Sequence, residues 1–546
     1  MRFINAKLSS RQALLISILS LIIPVAWIEY KVLQFTHGVI AYPLDDAFIH
    51  MAISRNLAVS HFWGVSDHAF QSASSSPFYT ILLAGLFLLF GIHTFIPLIV
   101  NLIAGIAVIV VAQRWLIAQG VAPFGQLMIL LALNFLTPLP MLVIAGMEHT
   151  LQLLFSILFI YGFSTAMERK AGQTVATGQT VATGRLPWEI YLYGALMIAT
   201  RYECLAVAGV ACLLILRRYP LTAISLGTIS ILPILLFGIY SLSKGGYLMP
   251  NSVIVKSNMP NSAHSLFHFL IRGFWTKLFF PQTTIDYNGL AGQRLLLILP
   301  LAYLIFLSRV RERISYRYPL IILFGATLFQ VAFSSYLLYP RYEDFLVGCS
   351  VLVTGTLIAK YYREIPFPAI RGSGWVAAAL LVIVGMPILL RSAMTLKEAR
   401  RSCINIYEQQ YQMAQFVHHY YDSVPMAFND IGAISFYSSG SKLDLIGLAN
   451  LEVTKSKRMN YYTPDFLDSL SRRQKIRLAI VYDTWFPHDL LKRWNKVASW
   501  HMTNNFSAAE DSVSFFSIDK SDTMSLRKNL EAFQPSLPSD VTVRYY

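Results

Sequence analysis

Up to Arg391, long apolar runs alternate with short polar connections. Runs at 13–35, 95–115, 124–143, 151–164, 188–200, 205–216, 221–242, 295–307, 319–338, 345–358 and 375–390 predict about 11 membrane-spanning helices. A shorter run at 77–90 predicts an amphipathic or re-entrant helix on the outer face instead of a span. Counting it as a span would move the polar connection 168–185 and the Arg217-Arg218 pair across the membrane, against the charge rule. After Arg391 the pattern changes. Residues 396–421 have helical character, and short strand-like runs follow at 425–428, 442–446, 476–482, 496–502 and 513–518, with a helical stretch at 465–473. This alternation predicts a soluble α/β domain over 392–546 behind a membrane module over 1–391.

Composition fixes the class. The chain is 55% hydrophobic and 13% charged, with a mean hydropathy of +0.52, as expected of a polytopic α-helical membrane protein. A net charge of +15 would suit a nucleic-acid partner, but Lys and Arg gather in connections on one side of the membrane, as the positive-inside rule requires. Nucleic acid is therefore excluded as a partner. Arg2, Lys7 and Arg11 hold the N-terminus in the cytoplasm, and the first apolar run is too long for a signal peptide. An odd number of spans then puts the C-terminal domain outside. The four cysteines have no metal or disulfide spacing, and the tandem Gly-Gln-Thr-Val-Ala-Thr between Gly172 and Gly184 reads as a linker.

Five polar positions fall on the outer face. The first outer loop, 36–94, carries Asp45 and Asp46 with His50 close behind; Glu148-His149 lies between the third and fourth spans. Arg201 and Glu203 interrupt a hairpin, Asn251 and Lys256 open the loop 243–294, and Arg341-Tyr342 follows the ninth span. That loop is also cationic on the wrong side, and an anionic ligand would explain it. Each position has a plain structural reading. Asp45 or Asp46 suits a helix N-cap, Arg201 and Glu203 can neutralise each other, and Arg341 can snorkel. Together they suit group transfer from a lipid phosphate, with a carboxylate as general base and Lys or Arg on the departing phosphate.

Asp45-Asp46-Ala-Phe-Ile followed by Ser76-Pro77 resembles the GT-C glycosyltransferase superfamily. The nearer likeness is to polyprenyl-phosphate-sugar transferases of the mycobacterial terminal arabinofuranosyltransferase type. Protein O-mannosyltransferases and lipid A aminoarabinose transferases are further relatives. Gly146-Met-Glu148, Thr200-Arg201-Tyr-Glu203 (Tyr202 standing where the family has Pro), Pro250-Asn251 with Lys256, and Arg341-Tyr342 continue the resemblance. Asn429-Asp430-Ile-Gly432 and Leu443-Asp444-Leu-Ile-Gly447 extend it into the C-terminal domain. The resemblance implies Asp45 as base with Asp46 in support, and Glu148 as a second acid near the acceptor. Arg201, Lys256 and Arg341 would meet the donor phosphate, while Glu203, Asn251 and Tyr342 line the substrate; His50 and His149 would touch sugar or phosphate, against the plainer reading of each as a buried, hydrogen-bonded histidine. It further implies an inverting transfer from a polyprenyl-phosphate sugar to a glycan, lipid or protein acceptor, in a bacterial inner membrane with a periplasmic C-terminal domain. The resemblance leaves a metal open: a carboxylate pair can hold a divalent cation, while several relatives need none. A flippase of lipid-linked saccharides or a non-catalytic assembly protein are the alternatives.

Overall fold

A computed structural model describes residues 8–66, 69–177, 186–256, 314–333, 341–361 and 373–546. The expected span 295–307 and most of the loop 243–294, with Arg272, Lys277 and Arg294, lie outside the described residues. The membrane part runs α1 (Ser10–Phe35), α2 (Asp46–Ser60), α3 (Pro77–Phe90), α4 (Ile96–Ala118), α5 (Pro123–Leu136), α6 (Leu139–Ile144), α7 (His149–Thr177) and α8 (Trp188–Thr200). Then follow α9 (Leu205–Leu216), α10 (Pro220–Ser243), α11 (Asn251–Lys256), α12 (Ile314–Phe333), α13 (Asp344–Tyr361) and α14 (Ser373–Ile406). Among the described residues four stretches are long and apolar enough to cross a membrane: α1, α4, residues His149–Lys170 of α7, and α10.

These helices are apolar on all sides, so packing decides which face meets protein. In α1, Ala13, Ser17, Leu21, Val25, Ile28 and Val32 are buried at helical spacing, while Leu15, Ile23 and Trp27 are exposed. Its start is closed by a capping box between Ser9 and Gln12. Asn134 on α5 donates to the Ser17 carbonyl at 2.8 Å, a polar tie between apolar helices. The run expected at 124–143 as one span is broken into α5 and α6, because Pro138 and Pro140 remove backbone donors and clash with a continuing helix.

The C-terminal part continues α14 without a linker. A π-helical turn, Tyr407–Tyr411, leads into α15 (Gln412–Tyr420). There follow β1 (Met426–Phe428), α16 (Ala433–Tyr437), β2 (Lys442–Asp444), α17 (Leu451–Arg458), α18 (Pro464–Arg473) and β3 (Leu478–Val481). The chain closes with α19 (His488–Leu491), β4 (Asn495–Met502), β5 (Ser512–Ser517), α20 (Thr523–Phe533) and β6 (Val541–Tyr545). The strands form one mixed sheet in the order β2-β1-β3-β5-β4-β6, parallel from β2 to β3 and antiparallel beyond. β6 has no counterpart among the strand-like runs of the sequence reading.

The sheet domain meets the membrane part through α16, which packs on α2. The Asp45 carboxylate accepts from the amides of Gly432 (2.7 Å) and Ala433 (2.8 Å), at the start of α16. Arg55, at the far end of α2, donates to the carbonyls of Phe436 (2.5 Å) and Ser435 (3.2 Å), at its end. The Asp45 carboxyl oxygens thus face the amide end of α16, and the Arg55 guanidinium faces its carbonyl end, where the peptide dipoles favour a cation. Gly432 is required at this seam, since a Cβ there would collide with the carbonyl oxygen and carboxylate of Asp45.

Candidate active site

A cavity of about 150 Å³ opens among the helix ends beside the C-terminal domain. Its polar lining comes from Asp46, His50, Ser75, Arg201, Tyr202, Glu203, Ser252, Gln330 and Tyr342, and its apolar lining includes Met147, Met249 and Leu448. Asp46 and His50 come from the first turns of α2, Ser252 from α11 and Gln330 from α12, while Ser75, Arg201 and Tyr342 lie in the connections between helices.

Asp46 is the first residue of α2, and its Oδ2 accepts from Arg341 Nη2 at 2.7 Å. Arg341 is buried and also touches the Met147 sulfur. The segment carrying Arg341 and Tyr342 is fixed from behind, where buried Arg391 of α14 pairs with Glu343 at 2.7 Å and with Asp344. Tyr342 lies between two guanidinium groups, 5.0 Å from that of Arg341 and 4.9 Å from that of Arg201.

Arg201 joins three elements. Its Nη1 donates to Glu148 (2.8 Å) and to Ser75 Oγ (3.1 Å), and its Nε and Nη2 grip Glu203 at 3.1 and 2.5 Å. Glu148 is fully buried and lies 3.2 Å from His50 Nε2, while His50 Nδ1 contacts Ser74 Oγ at 3.2 Å. Burial alone would raise the Glu148 carboxyl, yet His50, His149 and Arg201 hold it well below the usual carboxylate range. The turn before it depends on Gly146, whose φ of 65° is left-handed and whose missing Cβ makes room for the Tyr42 ring.

The structure therefore brings together Asp46, His50, Glu148, Arg201, Glu203, Arg341 and Tyr342. It separates Asp45 from them: that carboxylate faces α16 in the seam. Burial and the neighbouring Asp430 push it up to about 8, against the two amides that favour its charged form. The N-cap position of α2 falls to Asp45, but its side chain caps α16 rather than α2. Because Asp45 and Asp46 diverge, they do not form a paired ligand set for a cation. Among the described residues no three His, Cys, Asp or Glu side chains gather into a metal site. His149 is buried, 3.2 Å from Gln152 and T-shaped to the Tyr342 ring at 6.0 Å, and does not itself line the cavity. Asn251 starts α11, tied through its amide to the Ser72 carbonyl (2.9 Å), and its Oδ1 is buried without a partner among the described residues. The side chain of Lys256 lies outside the described residues.

Two contributors escaped the sequence reading. Ser75 bridges Arg201 and Glu148, and the run Ser74-Ser75-Ser76 before Pro77 was its only signal. Leu448 brings the C-terminal domain into the cavity wall. Buried Asp444 folds its loop by accepting from the amides of Ile446, Gly447 and Ala449.

Residues 404–516 match a family described as "Domain of unknown function (DUF8728)". No curated protein matches the chain. Among solved structures, ArnT from Cupriavidus metallidurans bound to undecaprenyl phosphate is similar, with a TM-score of 0.51 and 13% identity over 92% of this chain and 98% of that one. The apo state of the same protein gives 0.50 and 12% over 94% and 99%. Archaeoglobus fulgidus AglB, in complex with an inhibitory peptide and a dolichol-phosphate, gives 0.47 and 12% over 96% and 75%. At such identities the two ArnT structures speak for the fold alone: the chain is a multi-pass membrane protein with the GT-C fold.

Proposed function

We propose that this protein is a membrane glycosyltransferase that moves a sugar from a polyprenyl-phosphate donor to an acceptor outside the cytoplasm, with Asp46 as general base. The observation that carries the reading is the pairing of Asp46 with Arg341 at the wall of a cavity that Arg201 also lines. The ArnT structure bound to undecaprenyl phosphate supports a polyprenyl phosphate as the donor's carrier. Asp46 takes the acceptor hydroxyl proton, and the oxygen attacks the anomeric carbon from the face opposite the phosphate. The carbon–oxygen bond to phosphate breaks with its electron pair going to the phosphate, so the anomeric configuration inverts. Arg341 and Arg201 stabilise the charge that grows on the departing phosphate. A phosphate that draws Arg341 towards itself also frees Asp46 to accept a proton.

Glu148 serves in this scheme as a positioning residue. Its buried pairs with Arg201 and His50 aim the Arg201 guanidinium at the cavity. His149 and Asn251 have the same supporting part, and Glu203 and Tyr342 line the substrate. The C-terminal domain belongs on the periplasmic side of a bacterial inner membrane.

Transfer from a panel of radiolabelled polyprenyl-phosphate sugars in reconstituted membranes tests the reading. Asp46→Asn is expected to abolish transfer while donor binding persists, and Asp45→Asn to retain it. Equal activity in Asp46→Asn and wild type sinks the assignment of the base. Wild type that binds donor without transferring it sinks the enzyme reading in favour of a transporter.

A further inference from the structure

The C-terminal domain carries an exposed tip at the end of α17. The helix closes through Asn460, whose φ of 58° is left-handed, with the Tyr461 amide donating to the Ser456 carbonyl at 2.9 Å. This turn leaves Met459 71% and Tyr461 40% exposed, beside exposed Lys455 and Arg458. The tip thus sets an apolar side chain and an aromatic ring beside two cations, the combination that suits a lipid–water interface.

The tip is tied to a chain segment that leaves the membrane. α10 is one of the helices able to cross it, and it exposes Leu235, Leu236, Ile239, Tyr240 and Leu242 towards its end. Lys244 then lies 5.8 Å above the Tyr240 ring, an aromatic and a snorkelling cation of the kind that mark the lipid–water interface. Tyr247 follows three residues later, a reach of at most about 11 Å. The Arg458 guanidinium lies 5.2 Å over the Tyr247 ring. The tip is therefore held against the segment that leaves the end of α10.

We propose that this tip, formed by Lys455, Arg458, Met459 and Tyr461, rests in the interface of the leaflet where α10 ends and binds anionic phospholipid headgroups. Met459 and Tyr461 enter the headgroup–acyl boundary while Lys455 and Arg458 neutralise the lipid phosphates. The one acidic residue of the helix, Glu452, is already paired with Arg473 and faces α18.

The full chain in nanodiscs provides the test. An environment-sensitive fluorophore is attached at Met459→Cys and, for comparison, at Met524→Cys. Met524 is 76% exposed on α20, which packs on β4 near the opposite edge of the sheet. The labelled wild type supplies the blank for native Cys212. Nitroxide-bearing lipids are expected to quench the label at 459 and spare that at 524, more strongly with anionic than neutral lipid. Lys455→Glu, which leaves the Arg458–Tyr247 contact in place, is expected to reduce that quenching in anionic discs. Equal quenching at 459 and 524 overturns the proposal. Quenching at 459 that is indifferent to lipid charge overturns the choice of anionic headgroups.

Discussion

The seam that receives Asp45 and the cavity that receives Asp46 start from the same turn and are built on different physics. In the seam, side chains meet backbone: the Asp45 carboxyl on two amides and the Arg55 guanidinium on two carbonyls, half-buried against α16. In the cavity, charge meets charge, and Arg341 and Arg201 each hold a carboxylate beside an open space. Backbone partners cannot leave without unfolding something. Side-chain partners can turn towards a ligand. The first arrangement fixes one domain against another, and the second can exchange partners with a substrate anion.

The largest effect expected from this contrast is at Arg341. Arg341→Gln is expected to lower sugar transfer by roughly 10²–10³-fold, through the loss of a charge aimed at the leaving group. Hydrogen exchange at the Gly432 and Ala433 amides should stay at the wild-type level. Faster exchange there would mean that seam and cavity are one coupled unit.

Gly432→Ala attacks the other side. The added methyl collides with Asp45, so the seam is expected to open at a cost of about 1–3 kcal/mol. Exchange at both amides would rise while donor affinity changes little.

pH provides a milder probe. Asp45 in the docked seam has a pKa near 8, raised by burial and by Asp430, with a smaller push from Asp46. Released from the seam, it returns to the ordinary carboxylate value. Between those two values the docked state keeps a proton that the released state gives up, so docking weakens as pH rises and levels off above about 8. From pH 6 to 7 the loss is at most about 1.4 kcal/mol. Asp430→Asn should flatten this dependence of amide exchange, and an unchanged slope would show that the proton resides elsewhere.

The smallest effect belongs to Arg55→Met. It keeps the aliphatic stem but removes the charge at the α16 carbonyl end, for about 1 kcal/mol or less. Thermal unfolding of the domain in the full chain would register it.

Much of this was legible in the sequence. Apolar run lengths and the distribution of Lys and Arg put Asp45, Asp46, Glu148, Arg201 and Arg341 at the outer ends of helices, and convergence followed. Which aspartate faces the cavity was not legible, because that choice is made by amides 387 and 388 positions further along the chain. Leu448 closes the run Leu443-Asp444-Leu-Ile-Gly447-Leu448, and as one apolar residue among several it gave no sign that it would reach the cavity. β6 eluded the pattern because an edge strand exposes alternate polar residues, here Thr542 and Arg544, and so weakens its own apolar signal. The break between α5 and α6 was announced by Pro138 and Pro140, but hydropathy over the same stretch outweighed them.

The π-helical turn Tyr407–Tyr411 has a consequence for how such a chain can vary. A π turn holds one residue more than the α-helical path it replaces, and it here presents buried Glu408, Gln409 and Gln410 to the sheet domain. Each residue of an α-helix advances the chain by about 100°. Excising a single residue from 407–411 would therefore restore a plain helix and swing everything after it by about a quarter-turn or more. Gly432 would then leave Asp45, and Leu448 the cavity. The side chains of this stretch are held by their buried hydrogen bonds, and its length is in addition a setting of angle, so that a lineage that loses one residue there must regain one nearby.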